Sequence, residues 1–89
     1  MEHGKRRRSA VHSSAYQYLL KHLREARVRA GLTQVQVAKA LGRPQSFVTK
    51  CELGERRIDP VDLQRFAKLY GKPISFFLPP KGSAGRPVR

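Results

Sequence analysis

Four polar side chains in the middle of the chain have the chemistry needed to contact the edges of DNA bases. They are Gln45, Ser46, Thr49 and Lys50, at positions i, i+1, i+4 and i+5. An amide can bond adenine in two places, an ammonium group suits the acceptors of guanine, a hydroxyl suits several bases, and a threonine methyl can contact thymine. The spacing places all four on one face of a helix. The pattern therefore predicts a helix that contacts base pairs in the major groove.

A helix over residues 45–53 would carry these side chains. Its opposite side is mainly apolar, as packing on a core requires, and consists of Phe47, Val48, Cys51 and Glu52. Pro44 suits the start of a helix because it has no N–H group to leave unbonded, and Gly54 can end the helix. Nine residues that rise about 1.5 Å each give a rod of roughly 14 Å, which fits a major groove about 12 Å wide.

A shorter helix is predicted immediately before this one. Thr33 can accept a hydrogen bond at its start, and Gln36 can return a bond to the Thr33 backbone. An apolar stripe follows at helical spacing, made of Val37, Ala38 and Leu41. Gly42 can end this helix in the left-handed conformation. Two helices joined by a glycine-containing turn are the pattern of a helix-turn-helix motif, here over residues 33–54.

The segment over residues 23–57 resembles the Xre, or lambda-repressor-like, family of helix-turn-helix regulators, and the similarity continues more weakly to about residue 78. The residues that carry the resemblance are Leu23, Arg24, Arg27, Gly31, Leu32, Thr33, Gln34, Val37, Ala38, Leu41, Gly42, Gln45, Ser46, Val48, Glu52 and Gly54. The resemblance implies an all-α fold, a compact five-helix DNA-binding domain over residues 13–78. It also implies a sequence-specific double-stranded DNA-binding transcriptional regulator, a repressor that binds a partly palindromic operator as a homodimer.

The resemblance assigns roles to the polar residues of the motif and of the turn after it. Base contacts are implied for Gln45, Ser46, Thr49 and Lys50. Phosphate contacts are implied for Gln34, Arg43, Arg56 and Arg57, and bracing of Gln45 is a second role open to Gln34. Contacts to phosphates orient a protein on DNA, whereas contacts to base edges give sequence preference.

Two charged residues lie on the apolar sides of predicted helices. Arg27 is on the stripe of the first helix, predicted over residues 15–30, and Glu52 is on the back of the helix over residues 45–53. A charge that faces the core is costly unless it is paired. The sequence therefore predicts an Arg27–Glu52 ion pair, which the family resemblance also implies. The alternative is that both charges are exposed to solvent.

The charge of the chain favours polyanionic partners. Nineteen basic residues against six acidic ones give a formal net charge of +13 over 89 residues. Residues 1–13 contain four basic and one acidic residue, residues 14–78 contain twelve and five, and residues 79–89 contain three and none. The excess is therefore spread along the chain, which favours nucleic acid first and an anionic membrane second.

The two ends of the chain are predicted to be disordered. Residues 1–12 lack hydrophobic periodicity and contain a basic cluster of Lys5, Arg6, Arg7 and Arg8. This cluster is either an arm that lies along DNA or a solvated charge run. Residues 79–89 are rich in proline, glycine and basic residues and are predicted to be a flexible tail.

Two further helices complete the predicted domain. Asp59 and Pro60 form a helix start, with a capping residue followed by proline at the first helical position. Residues 73–78 predict a short fifth helix. Phe76 and Leu78 would project away from its core side and are candidates for a dimer contact, with core packing as the alternative.

The sequence offers little for catalysis or for a bound cofactor. It lacks a glycine-rich phosphate loop, a nucleophile set and a cluster of metal ligands, so an enzyme is not expected, and neither is a metal or cofactor. Cys51 reads as a buried core residue, with a redox-sensing thiol as the alternative. His22 is expected to face solvent. A single cysteine and the lack of a long apolar run predict a cytoplasmic protein, and the DNA binding implied by the resemblance would make it nucleoid-associated.

Two other classes of function remain open at this stage. The first is a non-specific nucleic-acid binder or RNA-associated cofactor that uses charge alone. The second is an antitoxin or other protein-interaction module in which the motif is only a scaffold and a toxin or another regulator is the partner. The polar front of the helix over residues 45–53 favours specific DNA binding over both.

Overall fold

The computed structural model describes residues 13–80, which form four α-helices and a 3-10 helix, with no strand among them. In chain order these are α1 (Ser14–Arg29), α2 (Gln34–Leu41), α3 (Gln45–Leu53), α4 (Pro60–Tyr70) and the 3-10 helix (Ile74–Phe77). The all-helical class is therefore confirmed. The fifth predicted helix is a short 3-10 segment instead of an α-helix. The basic cluster Lys5–Arg8 and the tail from residue 81 lie outside the described residues.

Local capping chemistry determines where three of the α-helices begin. The Ser13 hydroxyl accepts a bond from the Tyr16 N–H at 3.1 Å, which starts α1. At α2 the Gln36 N–H donates to the Thr33 hydroxyl at 3.1 Å, and the Gln36 amide accepts from the Thr33 N–H at 2.8 Å. The Asp59 carboxylate caps α4. These bonds satisfy N–H groups that have no partner inside a helix, so they fix each start.

The turn between α2 and α3 depends on two residues with special backbone properties. Gly42 has a φ of 68°, a left-handed conformation that favours glycine, and it ends α2. Pro44 occupies the position just before α3 and makes no side-chain capping bond. The start of α3 therefore has N–H groups without a side-chain cap.

The buried side of α3 joins the helices into one core. Phe47, Val48 and Cys51 are buried against residues of α1, α2 and α4. The core also contains Leu19, Leu20, Leu23, Ala26, Val37, Ala38, Leu63, Phe66, Ala67, Tyr70 and Phe77. Because its back is held on three sides, α3 has a fixed orientation. Within residues 13–80, none of the helices is long and apolar enough to cross a membrane.

Cys51 is fully buried, and we expect its thiol to be inert in the native protein. Burial raises the pKa of the thiol from 9.0 to about 11, and thiolate is the reactive form. A thiol reagent at pH 8 should react at least about a hundredfold more slowly with native protein than with urea-unfolded protein. Fast labelling of the native protein would instead favour the redox-sensing alternative.

The burial of the Cys51 thiol also makes stability depend on pH. The thiol of the unfolded chain ionises first as pH rises, so the free energy of unfolding should fall between about pH 9 and pH 11.

An aromatic cluster joins α1 to the 3-10 helix and changes two expectations. The His22 ring stacks on Tyr18 with ring centroids 3.9 Å apart and meets the edge of Phe76 at 5.3 Å. His22 is therefore half-buried, and the prediction that it faces solvent is wrong, because aromatic neighbours on both sides cover it. The Phe76 ring also packs edge to face with that of Phe77, with ring centroids 5.2 Å apart. This contact favours the core-packing alternative for Phe76. Leu78 is 44% exposed.

Candidate nucleic-acid interface

The front of α3 presents polar side chains to solvent, opposite the buried back. Gln45, Ser46 and Lys50 are exposed, and Thr49 between them is half-buried. All four lie on one face of α3, as their spacing predicts. Three of the four predicted base-contact residues are thus accessible along their side chains, whereas Thr49 is partly covered by a neighbour from α2.

A bidentate ion pair ties α1 to α3 behind this front. The Arg27 Nε donates to one oxygen of the Glu52 carboxylate at 2.7 Å, and Nη2 donates to the other at 3.2 Å. The remaining Arg27 nitrogen donates to the Leu32 carbonyl at 2.9 Å. The two side chains are only 11% and 4% exposed, so the pair is shielded from water and salt. The alternative of two solvent-exposed charges does not fit this geometry.

The Gln34 amide extends this pair into a four-residue network. Its Nε2 donates to Glu52 at 2.9 Å, and its Oε1 accepts a bond from the Thr49 hydroxyl at 2.7 Å. Sequence reasoning instead left Gln34 free to bond a phosphate and to brace Gln45. The structure gives its side chain two other partners, because the packing of α2 on α3 brings the Gln34 amide to the Glu52 carboxylate and the Thr49 hydroxyl. The phosphate contact of Gln34 stays a prediction.

The Thr49 hydroxyl is consequently less available for a new hydrogen bond than the residue type suggests. Its hydroxyl hydrogen is committed to Gln34, so it is not free to donate to a base. The methyl group is the part of the side chain that remains available for an apolar contact, such as the predicted one with a thymine methyl. The chain of bonds from Arg27 through Glu52 and Gln34 holds Thr49 in one orientation.

Two of the predicted phosphate-binding arginines share one aromatic ring. The guanidinium carbon of Arg43 lies 4.2 Å from the centre of the Phe47 ring, and that of Arg56 lies 4.9 Å from it. Arg43 also approaches the buried carboxylate of Asp62 at 3.5 Å. Cations placed on an aromatic ring lose side-chain freedom before any ligand arrives. Arg57, the third predicted arginine, is exposed in the following turn.

These side chains surround a shallow recess at the N-terminal end of α3. It has a volume of about 230 Å³, and its polar lining comes from Arg43, Ser46, Lys50 and Arg56. Three cations, a hydroxyl and a helix N-terminus suit a phosphate group, because the N–H groups at a helix start carry partial positive charge. Sequence reasoning assigned these residues separately, and the structure brings them around one point.

Leu53 completes the front of α3, and sequence reasoning missed it. It lies at i+4 from Thr49 and i+8 from Gln45, so it continues their stripe to the last turn of the helix. It is 64% exposed. The spacing alone could have revealed it, but a leucine in an amphipathic helix reads first as a core residue. The front therefore changes from polar to apolar along its length.

Comparisons with known proteins agree with this architecture. A family model described as a helix-turn-helix domain matches residues 19–73. Among solved structures, an XRE-family like protein from Pseudomonas syringae pv. tomato str. DC3000 is similar at 43% sequence identity, over 78% of this chain and 84% of that one, with a TM-score of 0.70. No curated protein matches the chain. The extent of the domain match and the identity to the solved structure show that this chain belongs to the Xre-type helix-turn-helix family.

Proposed function

We propose that this protein is a sequence-specific regulator that binds double-stranded DNA and represses transcription by occupying a partly palindromic operator as a homodimer. The observation that carries the proposal is the front of α3, where exposed Gln45, Ser46 and Lys50 lie beside the arginines on Phe47. Base-contacting groups and phosphate-contacting groups are thus adjacent, as binding in a major groove requires.

The rigidity of this front favours specific recognition over binding by charge alone. A non-specific binder needs only basic groups near a phosphate backbone. Here the Gln34–Thr49 and Arg27–Glu52 bonds fix α3 relative to α1 and α2. A helix held in one orientation can match its side chains to the positions of base edges, which binding by charge alone does not need. The net charge of +13 would then supply affinity and fast association.

The proposed dimer contact lies around the 3-10 helix, near the C-terminal end of the described residues. Leu78 is 44% exposed directly after the 3-10 helix and gives an apolar contact that a second copy could cover. Phe76, which is partly buried beside His22, would contribute its remaining exposed edge. Two copies joined here would present two α3 helices to half-sites about one helical turn apart.

Two substitutions distinguish specific from non-specific binding. Gln45→Ala removes a base-contacting amide, so we expect affinity for the preferred site to fall by about 1 to 3 kcal/mol with little change on scrambled DNA. Arg56→Ala removes a phosphate contact, so we expect both DNAs to be bound more weakly by a similar factor, with a shallower dependence on salt. Fluorescence anisotropy titrations on the two DNAs at several salt concentrations measure both effects.

The same titrations can refute the proposal. If Gln45→Ala and Arg56→Ala weaken preferred and scrambled DNA equally, the front of α3 does not read bases. The protein would then be a non-specific nucleic-acid binder, and RNA would be the next ligand to titrate. Thermal unfolding of both variants is the control, because both side chains are exposed and neither change should disturb the fold.

A further inference from the structure

A groove with an apolar floor runs along the outer side of α1 and ends at the last residue of α3. It has a volume of about 680 Å³. Its apolar lining comes from Leu20, Val28 and Leu53, and its basic lining comes from Lys21, Arg24 and Arg29. Val28 is 58% exposed and Leu53 is 64% exposed. Large apolar side chains that meet in a groove with a charged rim are typical of a protein-binding surface.

The shape of the groove suits a helix. Lys21, Arg24 and Val28 follow one another at intervals of three and four residues, so they form a straight line on the surface of α1. A second helix can pack along such a line with its side chains between those of the first. The groove extends over about three turns of α1, or roughly 18 Å.

The charges of the groove select the chemistry of that helix. Glu25 forms an ion pair with Arg29 at 3.7 Å, and Glu52 forms one with Arg27 at 2.7 Å. The rim therefore presents the positive charge of Lys21 and Arg24. A second copy of this chain is a poor occupant, because two copies that met groove to groove would bring Lys21 and Arg24 of each against the same cations of the other.

We infer that this groove binds an acidic amphipathic helix from a partner protein. Leucine-like side chains on one face of that helix would cover Val28 and Leu53, and carboxylates beside them would face Lys21 and Arg24. Helices that present anchors at i, i+3, i+4 and i+7 dock into grooves of this kind. The burial of two exposed apolar side chains supplies affinity, and the carboxylates supply orientation.

The position of the groove makes this partner an antagonist of DNA binding. Leu53 lies on the same stripe of α3 as Gln45 and Thr49, so a helix that covers Leu53 also covers the end of the front of α3. DNA and the partner therefore exclude each other. This exclusion rests on the proposed function, whereas the docking itself does not.

A pair of designed peptides tests the docking without DNA. The first is a peptide of about 20 residues with leucines at i, i+3, i+4 and i+7, two glutamates beside them to face Lys21 and Arg24, and alanine and glutamine elsewhere to favour a helix. The second has the same glutamates, with glutamine in place of each leucine. We expect the leucine peptide to bind the full chain at least about tenfold more tightly, with NMR shift changes concentrated in α1 and at Leu53. Equal affinities of the two peptides would overturn the proposal, because charge alone would then explain binding.

Three variants locate the site. Leu53→Gln and Val28→Gln should each reduce the tenfold advantage of the leucine peptide to about twofold or less. Val61→Gln is the matched control, since Val61 is 62% exposed on α4 and does not line the groove, so this variant should keep the full advantage. An equal loss in Val61→Gln would overturn the assignment of the groove.

A competition experiment tests the antagonism of DNA binding. The leucine peptide should displace DNA from the wild-type protein. A stable complex of protein, peptide and DNA would overturn the mutual exclusion but not the docking.

Discussion

Replacing Glu52 by alanine should destabilise the protein by about 3 to 5 kcal/mol. The Glu52 side chain is 4% exposed and accepts bonds from Arg27 and Gln34. Its removal leaves the Arg27 guanidinium buried without its carboxylate, and a stranded charge costs more than the intact pair contributes. Because small domains have only about 5 to 15 kcal/mol of stability, a large fraction of the variant should unfold at low urea. The urea midpoint of unfolding measures this loss.

The chain supplies its own matched control for this experiment. Glu25 pairs with Arg29 at 3.7 Å, but those side chains are 39% and 68% exposed. Glu25→Ala should therefore cost less than about 1 kcal/mol. The double variant Arg27→Met with Glu52→Met strands no charge and should recover at least half of the lost stability. If Glu52→Ala unfolds at the wild-type urea concentration, the ion pair does not hold α1 against α3.

Replacing Phe47 by alanine should cost about 3 to 5 kcal/mol of stability, because it removes a large buried ring and leaves a cavity. The Phe47 ring is 6% exposed and stacks against Phe66 with ring centroids 6.2 Å apart. The same change removes the ring on which Arg43 and Arg56 lie, so DNA affinity should fall as well. The free energy of unfolding and the affinity for DNA are measured separately, each at a temperature where the variant is folded.

Phe47→Leu separates these two consequences. A leucine keeps most of the buried volume, so the loss of stability should be about 1 to 2 kcal/mol, but it offers no aromatic ring to a cation. Affinity should then fall by a similar factor for preferred and scrambled DNA, since both arginines are predicted to contact phosphates. A change in sequence preference, with unchanged affinity for scrambled DNA, would show that these arginines contact bases instead.

Helix boundaries could be predicted because the chemistry that sets them is local. The capping bonds of Thr33 and Asp59 and the left-handed Gly42 involve residues within three positions of one another. The Arg27–Glu52 pairing was also within reach, because two core-facing charges in an otherwise apolar environment need each other. In both cases residue type and spacing left few physical alternatives.

The partners of Gln34 and His22 could not be predicted in the same way. Gln34 had several polar neighbours within reach, and only the packing of α2 on α3 decides that Glu52 and Thr49 take its amide. His22 is covered by Phe76, which is distant in the sequence and belongs to a segment that forms a 3-10 helix. Contacts of this kind depend on how the helices pack against each other, and the hydrophobic periodicity of the sequence does not reveal that packing.

Selection from a random pool of double-stranded DNA at about 0.15 M salt is the most direct test of sequence-specific binding. This salt concentration limits the purely electrostatic binding that a basic chain shows at low ionic strength. Binding by a homodimer should enrich a partly palindromic site with half-sites about one helical turn apart. Titration should show this site bound about a thousandfold more tightly than its scrambled version. No enrichment, with binding that disappears as salt rises, would contradict sequence-specific binding by this protein.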